Sequence, residues 1–127
     1  MRIAVISDIH ANLTALDAVI ADLHQVGADL VVHGGDLLSG GPRPADVIDR
    51  VREMNWPGVC GNTDQMLWMP HRVTETLQAP PLHRIRDLVL SHTIPTTRSQ
   101  IGDERLAWLR TLPSPPKPAP GGRRPPS

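Results

Sequence analysis

Along the N-terminal half of the chain, apolar positions switch between two periods. Residues 3–7 form a short β-branched run, which fits a buried strand. The period then lengthens: Leu13, Leu16, Ile20, Leu23 and Val26 recur at helical spacing, with Asn12 placed to cap the start and Gly27 to stop the end. Leu30–His33 repeats the strand pattern. Pro44–Met54 predicts a second helix, with Pro44 suited to its first turn and Val47, Ile48 and Val51 on one face. Residues 58–60 predict a short third strand. Strand, helix, strand, helix, strand is the order of a parallel sheet with right-handed crossovers.

Beyond Asp64 the pattern is coarser. Residues 67–77, 82–90 and 103–112 predict helical pieces interrupted at Pro70, Pro80-Pro81 and Pro95. No internal repeat is visible. From Pro113 the text PSPPKPAPGGRRPPS offers nothing large and apolar to bury. One domain over residues 1–112 and a disordered proline-rich tail over 113–127 are therefore expected.

Composition narrows the class. A chain of 127 residues suits one domain. Thirteen basic against thirteen acidic residues give no overall pull toward nucleic acid or an anionic membrane. No segment reads as a signal peptide, and no apolar run approaches transmembrane length. Cys60 stands alone, which excludes an internal disulfide and agrees with a cytoplasmic location. With no Phe and no Tyr, the core has to be aliphatic, and Trp56, Trp68 and Trp108 are the only aromatic residues.

The chemistry gathers where the strands end. The first is followed by Asp8-Ile9-His10, the second by Gly35-Asp36, the third by Gly61-Asn62. In open α/β sheets, ligands collect beyond the carboxyl ends of strands, and neighbouring strands lie about 4.8 Å apart. Side chains from three adjacent tips thus reach a common point. Asp8 and His10 share a face if the first strand persists that far. Asp, His, Asp and Asn form a mixed oxygen and nitrogen set suited to divalent ions such as Mn²⁺, Fe, Zn²⁺ or Mg²⁺. Taken singly, Asp8-x-His10 and Asp36 read more readily as turn residues and Gly61-Asn62 equally well as one; at all three tips together they favour a metal site. The glycines at 34–41 lack the Gly-Lys-Ser/Thr ending of a P-loop.

The three blocks together, DIH, GGDLLSGGP and GNTD, resemble the first three blocks of the calcineurin-like metallophosphoesterase superfamily, in order and in spacing. SDIHANLTALDAV is most similar to its small bacterial branch. The resemblance runs to about Leu112. It implies an α/β fold: a βαβαβ parallel-sheet half of an α/β/β/α sandwich, followed by helical segments. It also implies that Asp8 and His10 bind one metal, Asp36 bridges two, and Asn62 binds the second and takes part in catalysis. Mn²⁺ is the first expectation, with Fe, Zn²⁺, Ni²⁺ or Mg²⁺ as others. The implied reaction is hydrolysis of a small phosphomonoester or phosphodiester by metal-bound hydroxide, with no nucleic-acid or membrane partner.

Two departures bear on activity. Thr63 stands where the family often has histidine; it can hydrogen-bond a phosphate, a weak catalytic part, but is no general acid near neutral pH. The family's further histidine and Gly-His-x-His block have no counterpart. His92, in LVLSHTIP, reads as a surface or capping residue, and His24, His33, His71 and His83 as helix-face or strand residues. The expectation is a phosphoesterase truncated on its C-terminal side, with weak or no activity. The alternative is a non-catalytic fragment that binds a divalent ion weakly or interacts with another chain.

Overall fold

The structure, a computed structural model, describes residues 1–38 and 41–114. Strand β1 (Ile3–Ile6) pairs in parallel with β2 (Leu30–His33), in the register Ile3 opposite Leu30 through Ile6 opposite His33. Between them runs α1 (Leu13–Val26). The Asn12 side chain accepts from Ala15 N at 3.0 Å to begin it, and Gly27 in the left-handed region ends it. Helix α2 (Pro44–Met54) buries Val47, Ile48 and Val51, the face expected from its spacing.

The expected third strand is reduced to a single bridge between His33 and Gly58. Its ladder starts normally, with His33 N donating to Pro57 O and Val59 N to His33 O. The next rung toward β2 would fall to Gly61 N, which donates to Asp64 Oδ2 at 3.2 Å instead, so the pairing stops there. Cys60 N, on the opposite edge, donates to Pro113 O at 2.8 Å. Ser114 Oγ accepts from Gln65 Nε2 at 2.8 Å. Two residues expected to open the tail are thus tied to the body, while 115–127 lie outside the described residues.

Short helices follow: α3 (Asn62–Gln65), α4 (His71–Thr76), a 3₁₀ turn at Pro80–Leu82, α5 (His83–Leu88), a π turn at Val89–Thr93 and α6 (Ile94–Thr111). Pro95 does not break the chain as expected; it sits in the first turn of α6, where its missing N–H is not needed. The interruption comes at Gly102, with φ 76° and ψ 171°. The core is aliphatic throughout, with Leu16 and Ile20 of α1, Val47, Ile48 and Val51 of α2, and Ile101, Leu106 and Leu109 of α6. The three tryptophans pack only at its margin. Arg105 grips Asp49 with two 2.8 Å bonds across α2 and α6, and holds its carboxyl below the usual range. Both partners are substantially exposed, so the pair adds little stability.

The two faces of the small sheet differ. Ile3, Val5 and Leu30 point outward together and are 58%, 70% and 37% exposed. On the other face His33 is only 2% exposed, and neither ring nitrogen has a partner among the described residues. A Cβ on Gly58 would lie 2.1 Å from the His33 ring, so that glycine makes room for the imidazole. Burial pushes the His33 pKa down from 6.5. As pH falls through that value the unfolded chain takes up a proton before the folded one does, so stability drops with acidification. His33→Leu should flatten this acid slope and be neutral or stabilising by about 1 kcal/mol at pH 7.5. Urea titrations of both proteins at pH 7.5 and pH 5 test this; an unchanged slope would show that His33 finds a partner.

Candidate functional site

Beyond the strands, the two loops that follow them stay side by side. Asp8 N donates to Gly35 O at 3.3 Å, His10 N to Asp36 O at 3.2 Å, and Ala11 N to Leu37 O at 2.6 Å. Ala11 O in turn accepts from Arg43 N at 3.1 Å. The backbone along this seam is unusual. Asp8, His10, Ala11 and Asp36 all have positive φ, between 51° and 58°. Such conformations cost non-glycine residues on the order of 1–2 kcal/mol each. They persist here because the hydrogen bonds between the loops fix them. Concentrated strain of this kind is typical of sites where side chains are held in place.

The expected Asp8–His10 pairing is present, by a different route. β1 ends at Ile6 rather than reaching residue 10, so strand periodicity does not align them. The left-handed turns at both residues do, placing His10 Nε2 3.5 Å from Asp8 Oδ1. Both side chains are partly open to solvent. Asp36, on the neighbouring loop, faces the Gly61 turn: its Oδ1 accepts from Thr63 N at 3.1 Å and from Thr63 Oγ1 at 2.8 Å. Asn62 is exposed at the start of α3. His92 lies exposed in the π turn.

One residue of the motif GNTD escaped the sequence reading. Asp64 is 0% exposed, and its two oxygens accept from Leu37 N at 2.9 Å and Gly61 N at 3.2 Å. It therefore staples the loop carrying Asp36 to the turn carrying Asn62. Burial pushes its pKa up to about 6, against the pull of the Gly61 and Leu37 amides and with a smaller push from Asp36. An acidic residue three places after the turn glycine is the one signal for it, since that position can reach back to the first amide of a helix. The approach of the two loops is close. A Cβ on Gly35 would sit 2.3 Å from Gly61 N, and one on Gly61 would sit 2.2 Å from Asp36 Oδ1.

Two carboxylates, an imidazole and an amide are the donor types that suit a hard or borderline divalent ion, and the adjacent, solvent-open Asp8 and His10 supply two of them together. The residues fit such an ion in kind. Among the described residues, no three His, Cys, Asp or Glu side chains stand close enough to enclose one. Cys60 is no competing soft ligand, because burial first, then Asp64 and Asp36, push its thiol up to about 12. Beside Asp8 a cavity of about 200 Å³ opens between the end of β1 and α1, bounded by Ile6, Leu16 and Val19. Among the described residues, no helix is long and apolar enough to cross a membrane.

Comparison with known proteins bears on the family and the fold. The calcineurin-like phosphoesterase superfamily domain matches residues 1–106. A solved metallophosphoesterase from Sphaerobacter thermophilus superposes with a TM-score of 0.64 at 33% identity, over 89% of this chain and 41% of that one. A candidate diadenosine tetraphosphatase superposes with a TM-score of 0.58 at 26% identity, over 88% of this chain and 43% of that one. An uncharacterised protein of Methanocaldococcus jannaschii is 42% identical over 62 residues, which are 49% of this chain and 26% of that protein. The chain thus spans about two fifths of the solved relatives and about a quarter of the curated one.

Proposed function

This chain belongs to the calcineurin-like phosphoesterase superfamily, and from that premise we propose that its strand-end cluster handles a phosphoester beside a divalent ion. The observation that carries the reading is the seam of left-handed residues, which spends backbone strain on setting Asp8, His10 and Asp36 at adjoining loop tips. Asp8 and His10 would hold one ion; Asp36 and Asn62 would hold a second. A bound Mn²⁺, or Fe, Zn²⁺, Ni²⁺ or Mg²⁺ in its place, supplies charge to polarise a phosphoryl oxygen and to activate water.

The side chains then have separate tasks. The His10 imidazole and the Asp8 carboxylate, 3.5 Å apart, bring a neutral and an anionic donor to one point. Asn62, exposed and uncharged, offers an amide that can meet a phosphate oxygen without repelling it. The cavity of about 200 Å³ beside Asp8 has room for a phosphoryl group together with part of the group it is attached to. The substrate class is a small phosphoester; a dinucleoside polyphosphate is the candidate that the diadenosine tetraphosphatase relative points to. A cytoplasmic setting is part of the same proposal.

Asp36 is the ligand expected to serve both ions, so its loss should weaken binding most. Calorimetric titration with Mn²⁺ should show Asp36→Ala losing at least as much affinity as Asn62→Ala. Normal binding by Asp36→Ala beside severe loss in Asn62→Ala would remove the bridging role. Hydrolysis of a chromogenic phosphodiester with millimolar Mn²⁺, against an Asp8→Ala control, separates catalysis from mere ion binding. With four ligands the chain is expected to turn over slowly, since ligand number and rigidity set how well such ions are held.

A further inference from the structure

Thr63 occupies the position from which a phosphate contact was expected, yet its hydroxyl is already committed. Its Oγ1 donates to Asp36 Oδ1 at 2.8 Å, and its own backbone N–H donates to the same oxygen at 3.1 Å. A threonine hydroxyl has one proton to give. While that proton points at Asp36, only lone pairs remain to face a phosphate oxygen, and lone pairs repel it. We propose that Thr63 is a positioning residue: it fixes the Asp36 carboxylate in one rotamer for its ligand role, and does not contact the substrate.

The surrounding geometry supports the assignment. Two donors converge on one oxygen, which sets the carboxylate plane and leaves Oδ2 as the atom turned away from Thr63. Gly61 brings the turn so close that a Cβ there would overlap Asp36 Oδ1, so little space remains for the carboxylate to rotate on that side. Asp64, the neighbour of Thr63, anchors the same turn through Leu37 N and Gly61 N, so the donor and the acceptor of the Thr63 bond are held to each other independently of it. Hydrogen-bonded partners of a metal-ligating group usually hold its orientation and basicity in this way. The proposal rests on the reading of Asp36 as a ligand, and its test is built to fail separately from that reading.

Thr63→Val keeps the β-branched shape and the backbone N–H but removes the hydroxyl; Thr63→Ser restores it. In the metal-free chain of 127 residues, three-bond couplings between Asp36 Cγ and its backbone N and C′ should report one χ1 rotamer in the parent. Averaging is expected in Thr63→Val and a single rotamer again in Thr63→Ser, with thermal midpoints little changed. Titration of Mn²⁺ into the same three proteins should show an affinity about 10-fold lower in Thr63→Val alone. A single Asp36 rotamer in Thr63→Val, or averaging in the parent, overturns the positioning role. Expected couplings in a parent that binds no Mn²⁺ would support the orientation of Asp36 and instead defeat its reading as a metal ligand.

Discussion

Gly35→Ala should cost about 4 kcal/mol of stability, or prevent folding altogether. Two effects add. Gly35 has φ +85°, a conformation that costs an alanine on the order of 1–2 kcal/mol. Its new methyl would also lie 2.3 Å from Gly61 N and 2.6 Å from Gly61 Cα, both rigid backbone atoms. Relieving that overlap means prising the loops apart, and overpacking of this sort costs typically about 1–3 kcal/mol. Gly27→Ala is the control: it has φ +72° but nothing within 4 Å of the added carbon. Urea midpoints should show Gly27→Ala losing only the conformational part. Equal losses in the two variants would mean that the close approach carries no cost and that the loops can part freely.

Asp64→Ala should lower stability by about 2 kcal/mol at pH 7.5, a net figure with a definite sign. The substitution leaves Leu37 N and Gly61 N buried without acceptors, each at about 1–3 kcal/mol. Against that stands relief from keeping a carboxylate out of water. A pKa raised from 3.8 to about 6 corresponds to about 3 kcal/mol for the ionised form. The two lost acceptors and the space left by the side chain outweigh the relief. Asp64→Asn should fall between, because its oxygen can still serve Leu37 N while its amide group faces the Gly61 N–H donor to donor. A thermal shift of several degrees is expected for alanine. A variant as stable as the parent would show that water replaces the carboxylate.

Why some of this could be foreseen and some not follows from which forces act locally. α1 and α2 begin and end where their periodicity, caps and first-turn proline place them, because those signals lie within a few residues of the ends they control. The short apolar run at residues 58–60 predicts a third strand, but its pairing with β2 ends where the Gly61 amide donates to Asp64, a carboxylate held there by Leu37 N from a loop distant in sequence. The same holds at the site. The ligand-type residues Asp8, His10, Asp36 and Asn62 stand out by type and place, since aspartate beside glycine at a strand end is chemically conspicuous. Their conformation does not. Left-handed Ala11 has no propensity to announce it and is imposed by the amide and carbonyl bonds on either side. Asp64 was hidden for the opposite reason: its role exists only once two loops distant in sequence have met.

The ties from the Asn62 turn to Pro113 and Ser114 bear on the order of events at the ribosome. Gln65 must wait for a partner 49 residues later in the chain. At roughly 5–20 residues per second, that delay is on the order of seconds. The β1–α1–β2 unit can therefore assemble well before the Gly61 turn acquires its last backbone acceptor. Nascent chains stalled shortly before Pro113 has emerged should carry an Asn62 turn that proteases cut readily, while α1 is already protected.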